Sequence, residues 1–330
     1  MYKYLVGPSL VGGWTINSTR LKHLTKSQQF SQELVAELFE RADRFRVNPA
    51  SGVLTGKTMI ELFYEPSTRT RMSFASAMHR LGGNVIATEN AREFSSAVKG
   101  ETLEDTARVV GAYGHVIVIR HYEEGAADRM AAASPIPVIN AGDGKGQHPT
   151  QALLDLYTIK KEVGTIENIT VAFVGDLANG RTVRSLAYLL AHVGRVRMIF
   201  ISQPHLRIGQ DIKDTTLKHH NVEYWEVDSF ESLVDGKPIL PNVDVVYATR
   251  PQKERMTPEQ YEAAKGKLII GIEQLSQMKP TARLMHPLPK TDEVNLPPNV
   301  EQDDKRVAYF RQSANGIPIR MALLEHLVRD

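Results

Sequence analysis

No cysteine occurs anywhere in the 330-residue chain. A disulfide framework, a cysteine nucleophile, thiolate-bound zinc and an iron–sulfur cluster are therefore excluded within it. A surplus of one charge is missing too. Lys and Arg number 40 against 38 Asp and Glu, a formal +2, which is too balanced to imply a nucleic-acid or membrane-surface partner. No stretch approaches the roughly 18 uninterrupted apolar residues of a membrane span. Residues 1–13 lack the basic start and long apolar run of a signal peptide. The glycosylation-type tripeptides at Asn17 and Asn168 carry no weight without one. The expectation is a cytoplasmic protein. Its usage, 42% hydrophobic and 24% charged, is ordinary for a globular chain, and at roughly 150 residues per domain the length corresponds to about two domains.

Apolar spacing predicts a first helix over 27–45, then an alternation of strands and helices. Strands are expected at 59–64, 84–87, 116–120 and 137–140, and helices at 68–81, 103–112 and 148–163. Pro149 falls in the first turn of the last of these, where a missing N–H does no harm. The pattern then restarts: strands at 169–174, 196–201, 243–247 and, more weakly, 268–272, with helices at 182–193, 205–219 and 317–328. Continuous apolar strands alternating with amphipathic helices signal parallel sheets covered on both faces. The fold class is thus α/β, with two doubly wound domains, each around a mainly parallel sheet, and a site in the cleft between them. The division falls at 1–150 plus 312–330 for one domain and 151–311 for the other, with helix 148–163 crossing between them.

Three glycine-rich stretches invite a nucleotide-binding reading and fail it. The run 52–58 lacks the first P-loop glycine, which falls on Ser51, and it precedes a strand instead of following one. It reads as a turn. Gly142-Asp143-Gly144-Lys145-Gly146 brings its third glycine one residue early and reads as a flexible loop delivering helix 148–163. Gly175 through Gly180 is weaker still.

Ser67-Thr68-Arg69-Thr70-Arg71 survives scrutiny. It sits where a strand gives way to a helix and packs three hydroxyls and two guanidiniums beside free backbone N–H groups. That combination is an anion cradle for phosphate or carboxylate; an ordinary N-cap needs one such residue. Arg120 and His121 end a buried strand, His148 and Gln151 share one helical face, and Arg181 and Arg250 each follow a strand of the second half. Those two arginines are natural receivers for a carboxylate-bearing substrate. His286-Pro287-Leu288-Pro289 is a loop whose prolines fix the path of its carbonyls. No cluster has metal-ligand spacing, since His219 and His220 would face apart on a helix, and no nucleophile elbow occurs.

Taken in order, Ser67-Thr68-Arg69-Thr70-Arg71, Arg120-His121, His148-Pro149-Thr150-Gln151 and His286-Pro287-Leu288-Pro289 resemble the aspartate/ornithine carbamoyltransferase family over essentially the whole chain. The stretches Gly175-Asp176-Leu177, Gly180-Arg181-Thr182 and Thr249-Arg250-Pro251-Gln252-Lys253-Glu254-Arg255 are similar to its aspartate-type branch. The resemblance implies transfer of a carbamoyl group from carbamoyl phosphate to L-aspartate, the committed step of pyrimidine synthesis, with no cofactor and no metal. Residue by residue it implies that Ser67, Thr68, Arg69, Thr70, Arg120, His148 and Gln151 hold carbamoyl phosphate. Arg181, Arg250 and Gln252 would hold the aspartate carboxylates, with the Pro287–Leu288 backbone facing the ligands. Ser95 and Lys99, on a loop resembling the family's mobile one, would enter a neighbouring subunit's site, which implies a catalytic homotrimer. Where some members pair two lysines there, this chain has Val98-Lys99. Glu65 would bridge the domains on closure, to Arg181 and Arg255. A separate regulatory chain or an associated dihydroorotase stays open.

The residues fit that chemistry. Thr70, Arg120 and His148 are placed to stabilise an oxyanion, no protein base is evident, and the departing phosphate is expected to take the amine proton. His148 is expected to be neutral beside its arginines. Ornithine-type members usually carry cysteine where Pro287 stands and need an acidic diamine pocket. A phosphate-binding scaffold without activity would lack some of these arginines or histidines. A nicotinamide oxidoreductase lacks its fingerprint here.

Overall fold

The computed structural model describes residues 21–50, 52–88 and 90–329; the segment 1–13, Asn17 and Ser51 lie outside the described residues. The first half runs α1 (Gln32–Val47), β1 (Thr58–Phe63), α2 (Thr68–Arg80), β2 (Asn84–Thr88), α3 (Ala91–Phe94), α4 (Leu103–Gly111), β3 (Val116–His121), α5 (Ala126–Ala133), β4 (Val138–Asp143) and α6 (Pro149–Val163). The second begins β5 (Ile169–Gly175), α7 (Arg181–Val193), β6 (Val196–Ile201), α8 (Gln210–Ile212), β7 (Glu223–Val227), β8 (Leu233–Val234) and β9 (Lys237–Pro238). It continues β10 (Val245–Thr249), α9 (Pro258–Ala264), α10 (Ile272–Gln277), β11 (Arg283–Met285), α11 (Pro298–Asp303) and α12 (Tyr309–Val328).

Two parallel sheets result, ordered β2-β1-β3-β4 and β11-β10-β5-β6-β7. The run Val116-Ile117-Val118-Ile119 of β3 is buried on both faces, as a central parallel strand covered by helices requires. In the first sheet the order reverses between β1 and β3, and in the second between β5 and β10. Ligands in open α/β sheets bind beyond the carboxyl ends of the strands at such reversals. The chain that leaves β1 and β3 there carries Glu65 through Thr70 and Arg120; the chain that leaves β5 and β10 carries Arg181 and Arg250. At the second reversal only glycine fits. A Cβ on Gly175 would lie 2.2 Å from the Thr249 carbonyl oxygen, so its absence lets the two strand ends converge.

Helix α12 packs on α1, α2 and α6, returning the chain's end to the first sheet, while α6 also packs on α7. Ile319, Ala322, Leu323 and Leu327 are buried there as expected. The helix begins at Tyr309, eight residues before the expected 317. Pro318 lies inside the helix; burial of the surrounding apolar face outweighs the one backbone bond it forfeits.

Other expectations shift as well. The region 27–45 is a 3-10 turn, Ser27–Gln29, followed by α1, because Ser31 caps a new helix by accepting from Leu34 N (3.1 Å). Where one helix was expected over 205–219, Gly209 interrupts it; a 3-10 turn precedes the glycine, and α8 runs on into a π turn, Lys213–Leu217. The expected strand at 268–272 reduces to one bridge, Ile270 to Val294, since Gly271 starts α10, its N–H donating to Gln274 Oε1 (3.0 Å). The elements α3, α5, β7, β8, β9, α9, β11 and α11 had no prediction. Residues 52–57 form a turn, as read, with Lys57 N donating to Leu54 O (3.0 Å). The Gly142–Gly146 loop is not the loose connector expected: β4 extends into it, and Asp143 accepts from Gln147 N (2.8 Å) and Gly125 N (2.9 Å).

Candidate active site

A cavity of about 960 Å³ opens where the carboxyl ends of the two sheets face each other. Its first wall is the start of α2: Glu65, Ser67, Thr68, Arg69 and Thr70 line it, with Arg120 from β3 and His148 and Gln151 from α6. Ser67 sits at the N-cap position, but its hydroxyl accepts no bond from the helix backbone. An ordinary cap would. The oxygen instead takes a long contact from Arg120 Nη1 (3.4 Å). The two arginines of the motif part company: Arg69 lines the cavity, whereas Arg71 does not and acts on Glu61, a carboxyl of β1 that burial pushes up to about 8.

The second wall carries Arg181, Arg250, Gln252 and Arg255. Arg181, the first residue of α7, donates to the Gly144 carbonyl (2.9 Å) and lies 3.4 Å from Glu65 Oε2. Arg250 pairs with Glu254. Asp176, fully buried, holds this wall together by accepting from Asn179 N (3.0 Å) and Gln252 N (3.1 Å). Glu65 meets Arg181, as expected, but its other partner here is Arg120 (3.4 Å), while Arg255 donates to the Asn179 carbonyl (3.2 Å).

The loop 286–289 closes one side. His286 Nδ1 accepts from Leu288 N (2.8 Å), so the proton of the neutral ring sits on Nε2, 3.0 Å from Glu293 Oε1. Leu288 takes a φ of 56°, and this local bond holds it there.

Cationic groups crowd the cavity, and burial amplifies their mutual effect. Arg120 is pushed down to about 9, chiefly by burial and then by Arg181, which leaves it charged at neutral pH. Burial and then Arg250 lower Arg69, so the two walls interact across the gap. His148 is held well below its ordinary 6.5 by burial, then by Arg181, Arg120 and Arg320. It is neutral at physiological pH.

Residues 22–161 match the aspartate/ornithine carbamoyltransferase carbamoyl-P binding domain, and 167–327 match the Asp/Orn binding domain of the same family. The chain belongs to the aspartate/ornithine carbamoyltransferase family. It is 51% identical over 322 residues to the chloroplastic aspartate carbamoyltransferase of Oryza sativa subsp. japonica, covering 94% of this chain and 86% of that one. Among solved structures it resembles the catalytic subunit of Methanocaldococcus jannaschii aspartate transcarbamoylase (TM-score 0.82, 44% identity, 93% and 98% covered). It also resembles the Trypanosoma cruzi enzyme in complex with N-(phosphonacetyl)-L-aspartic acid (TM-score 0.85, 37% identity, 94% and 97% covered).

Most of the residues the family resemblance singled out therefore meet in one cavity. Ser95 and Lys99 do not: neither lines it, and Lys99 is exposed on the short turn after α3. Among the lining residues that escaped the sequence reading are Gln312 and Arg320 of α12. Arg320 is buried, stacks over Phe74 (5.0 Å) and occupies a notch left by Gly316, whose Cβ would lie 2.1 Å from Arg320 Nη1. A charged residue inside the apolar face of a final helix was the available signal. His121 faces elsewhere, accepting from Glu123 N (3.0 Å). His219 and His220 do not face apart, their rings being 4.9 Å from each other with His192 5.4 Å from His220. Among the described residues no group of three or more His, Asp or Glu could hold a metal ion, and no helix is long and apolar enough to cross a membrane.

Proposed function

We propose that this chain transfers the carbamoyl group of carbamoyl phosphate to L-aspartate, giving N-carbamoyl-L-aspartate and phosphate, the committed step of pyrimidine synthesis. One observation carries the proposal: a hydroxyl-rich helix start and two guanidiniums, each at a sheet's reversal point, face a common cavity. Ser67, Thr68, Arg69 and Thr70, with the α2 N–H groups, grip the phosphate. Arg120, Thr70 and His148 donate to the carbamoyl oxygen, and Gln151 orients the carbamoyl group. Arg181, Arg250 and Gln252 take the two aspartate carboxylates, displacing Glu254 from Arg250, and the Pro287–Leu288 backbone faces both ligands. The neutral amine attacks the carbonyl carbon, forming the C–N bond. Charge on the oxygen is stabilised as the C–O bond to phosphate breaks. The departing phosphate takes the amine proton. On closure Glu65 bridges Arg181 and Arg255.

The first unit, 1–150 with 312–330, holds carbamoyl phosphate, and 151–311 holds aspartate. Ser95 and Lys99 serve a neighbour's cavity within a homotrimer. That these two stand outside their own chain's cavity supports this reading. The location proposed is cytoplasmic; recovery of the chain from isolated chloroplasts would overturn that.

Parallel assays with aspartate and ornithine as acceptors test the activity. Carbamoylation of aspartate alone is expected. Turnover of ornithine without aspartate would refute the proposal.

Two further results are expected. His148 stays neutral when folded, whereas the unfolded chain takes a proton near its ordinary 6.5. Its contribution to stability is complete above that pH and is lost as pH falls below it. A His148→Gln variant should therefore lose less thermal stability than the parent between about pH 7 and pH 5, as melting at both values would show. Second, Gly316→Ala should push the Arg320 guanidinium out of its notch and, because Arg320 lines the cavity, raise the KM for carbamoyl phosphate. Its melting temperature should change little, because alanine favours the helix by about 1 kcal/mol.

A further inference from the structure

Asp155 lies in the middle of α6 and is completely buried. Its carboxylate accepts three hydrogen bonds from three elements. Oδ1 takes Gln151 Nε2 (2.9 Å), one turn earlier on α6, and Gln312 Nε2 (2.6 Å) from α12; Oδ2 takes the Tyr247 hydroxyl (2.7 Å) from β10. In its ionised form, which three converging donors favour, Asp155 only accepts and so dictates which way the Gln312 amide points. The amide nitrogen faces Asp155, so the oxygen faces the other way, where it accepts from the backbone N–H of His286 (2.8 Å). From there His286 Nδ1 fixes Leu288 N. One unbroken polar chain thus runs from Gln151 on the first wall to the loop 286–288 on the opposite side of the cavity.

Burial pushes Asp155 up to about 7 against the opposing pull of these donors. A buried carboxylate is costly, and an apolar residue of similar volume is often as stabilising or better. Its presence calls for a reason beyond packing. We propose that Asp155 is a positioning residue for carbamoyl transfer: it aims Gln151 at the carbamoyl group and, through Gln312, sets the backbone of loop 286–288 against the ligands. The inference rests on the assignment of this cavity as the transfer site. It assigns Gln312 the same positioning role. The Tyr247 contact is separate. Its hydroxyl binds the other oxygen, and its ring is held independently by Phe173 (5.7 Å) and the β10 ladder.

A double-mutant cycle on the full-length enzyme separates positioning from support of the fold. Asp155→Asn and Gln151→Ala should each lower kcat/KM for carbamoyl phosphate at least about tenfold. The double variant should fall no more than about threefold below the worse single one, since Asp155 then has no Gln151 to aim. Tyr247→Phe should lower the melting temperature and leave both kinetic constants within about twofold. If Asp155→Asn does not fold, Gln312→Leu cuts the link to His286 and should show the same tenfold loss. Additive effects in the cycle, parental kinetics in Asp155→Asn or Gln312→Leu, or losses in Tyr247→Phe equal to those in Asp155→Asn would overturn the proposal. A Gln151→Ala variant with parental constants would instead overturn the assignment of Gln151, and with it the reading beneath.

Discussion

Replacing Arg120 by alanine should lower kcat by about 10²–10³, the usual cost of deleting one preorganised oxyanion donor. The expectation follows from how the side chain is held. It leaves the end of β3 at the sheet's reversal point, where burial and then the like charge of Arg181 push it down to about 9. Its contacts to Glu65 and Ser67 are both long, at 3.4 Å. Such a guanidinium is expensive to keep and poorly satisfied by the protein, which is the condition under which it gains most from charge that develops during reaction. Arg120→Lys should recover little, because one ammonium cannot reproduce the planar fork. Steady-state kinetics on both variants, with a melting curve to verify folding, decide the matter. Removal of a buried, partly unpaired cation should leave stability unchanged or raised, whereas a merely structural arginine would lower it.

Mixing two inactive variants should restore activity. Lys99→Ala removes a residue that stands outside its own chain's cavity, and Arg69→Ala removes one inside it. In the proposed homotrimer each parent then lacks one component in every site. When the two are dissociated, mixed in equal amounts and reassembled, a site formed by a Lys99→Ala chain regains its lysine from an Arg69→Ala neighbour. Random reassembly restores about a quarter of the parental sites, since each of two independent choices is met half the time. Activity near that level, absent from either parent, is expected. No recovery after verified reassembly would place Lys99 outside catalysis or refute sharing between subunits.

The site was more legible in the sequence than the outline of the fold. Motifs such as Ser67–Arg69 and Arg120 state their chemistry locally, since hydroxyls and guanidiniums at a strand-to-helix junction have few other uses. Apolar periodicity likewise found every strand flanking the cavity except β11, whose three residues are too short for a pattern to register. Helix α12 shows where such reading stops. Its expected start was 317, whereas packing on α1, α2 and α6 accompanies a helix that runs from Tyr309 through Pro318, so Gln312 fell outside the predicted element. Contacts such as Glu65 with Arg120, or Gln312 with Asp155, join residues far apart in sequence. No local spacing encodes them.

The central claim is that one cleft binds acyl phosphate on one wall and a dianionic amino acid on the other. A crystal structure of this chain with N-(phosphonacetyl)-L-aspartic acid tests it most directly. The phosphonate should lie against Ser67, Thr68, Arg69 and Thr70, with the carbonyl oxygen facing Arg120 and His148 and the carboxylates on Arg181 and Arg250. A fully occupied ligand bound away from the cleft, or bound in it with its carboxylates on neither Arg181 nor Arg250, would contradict the account.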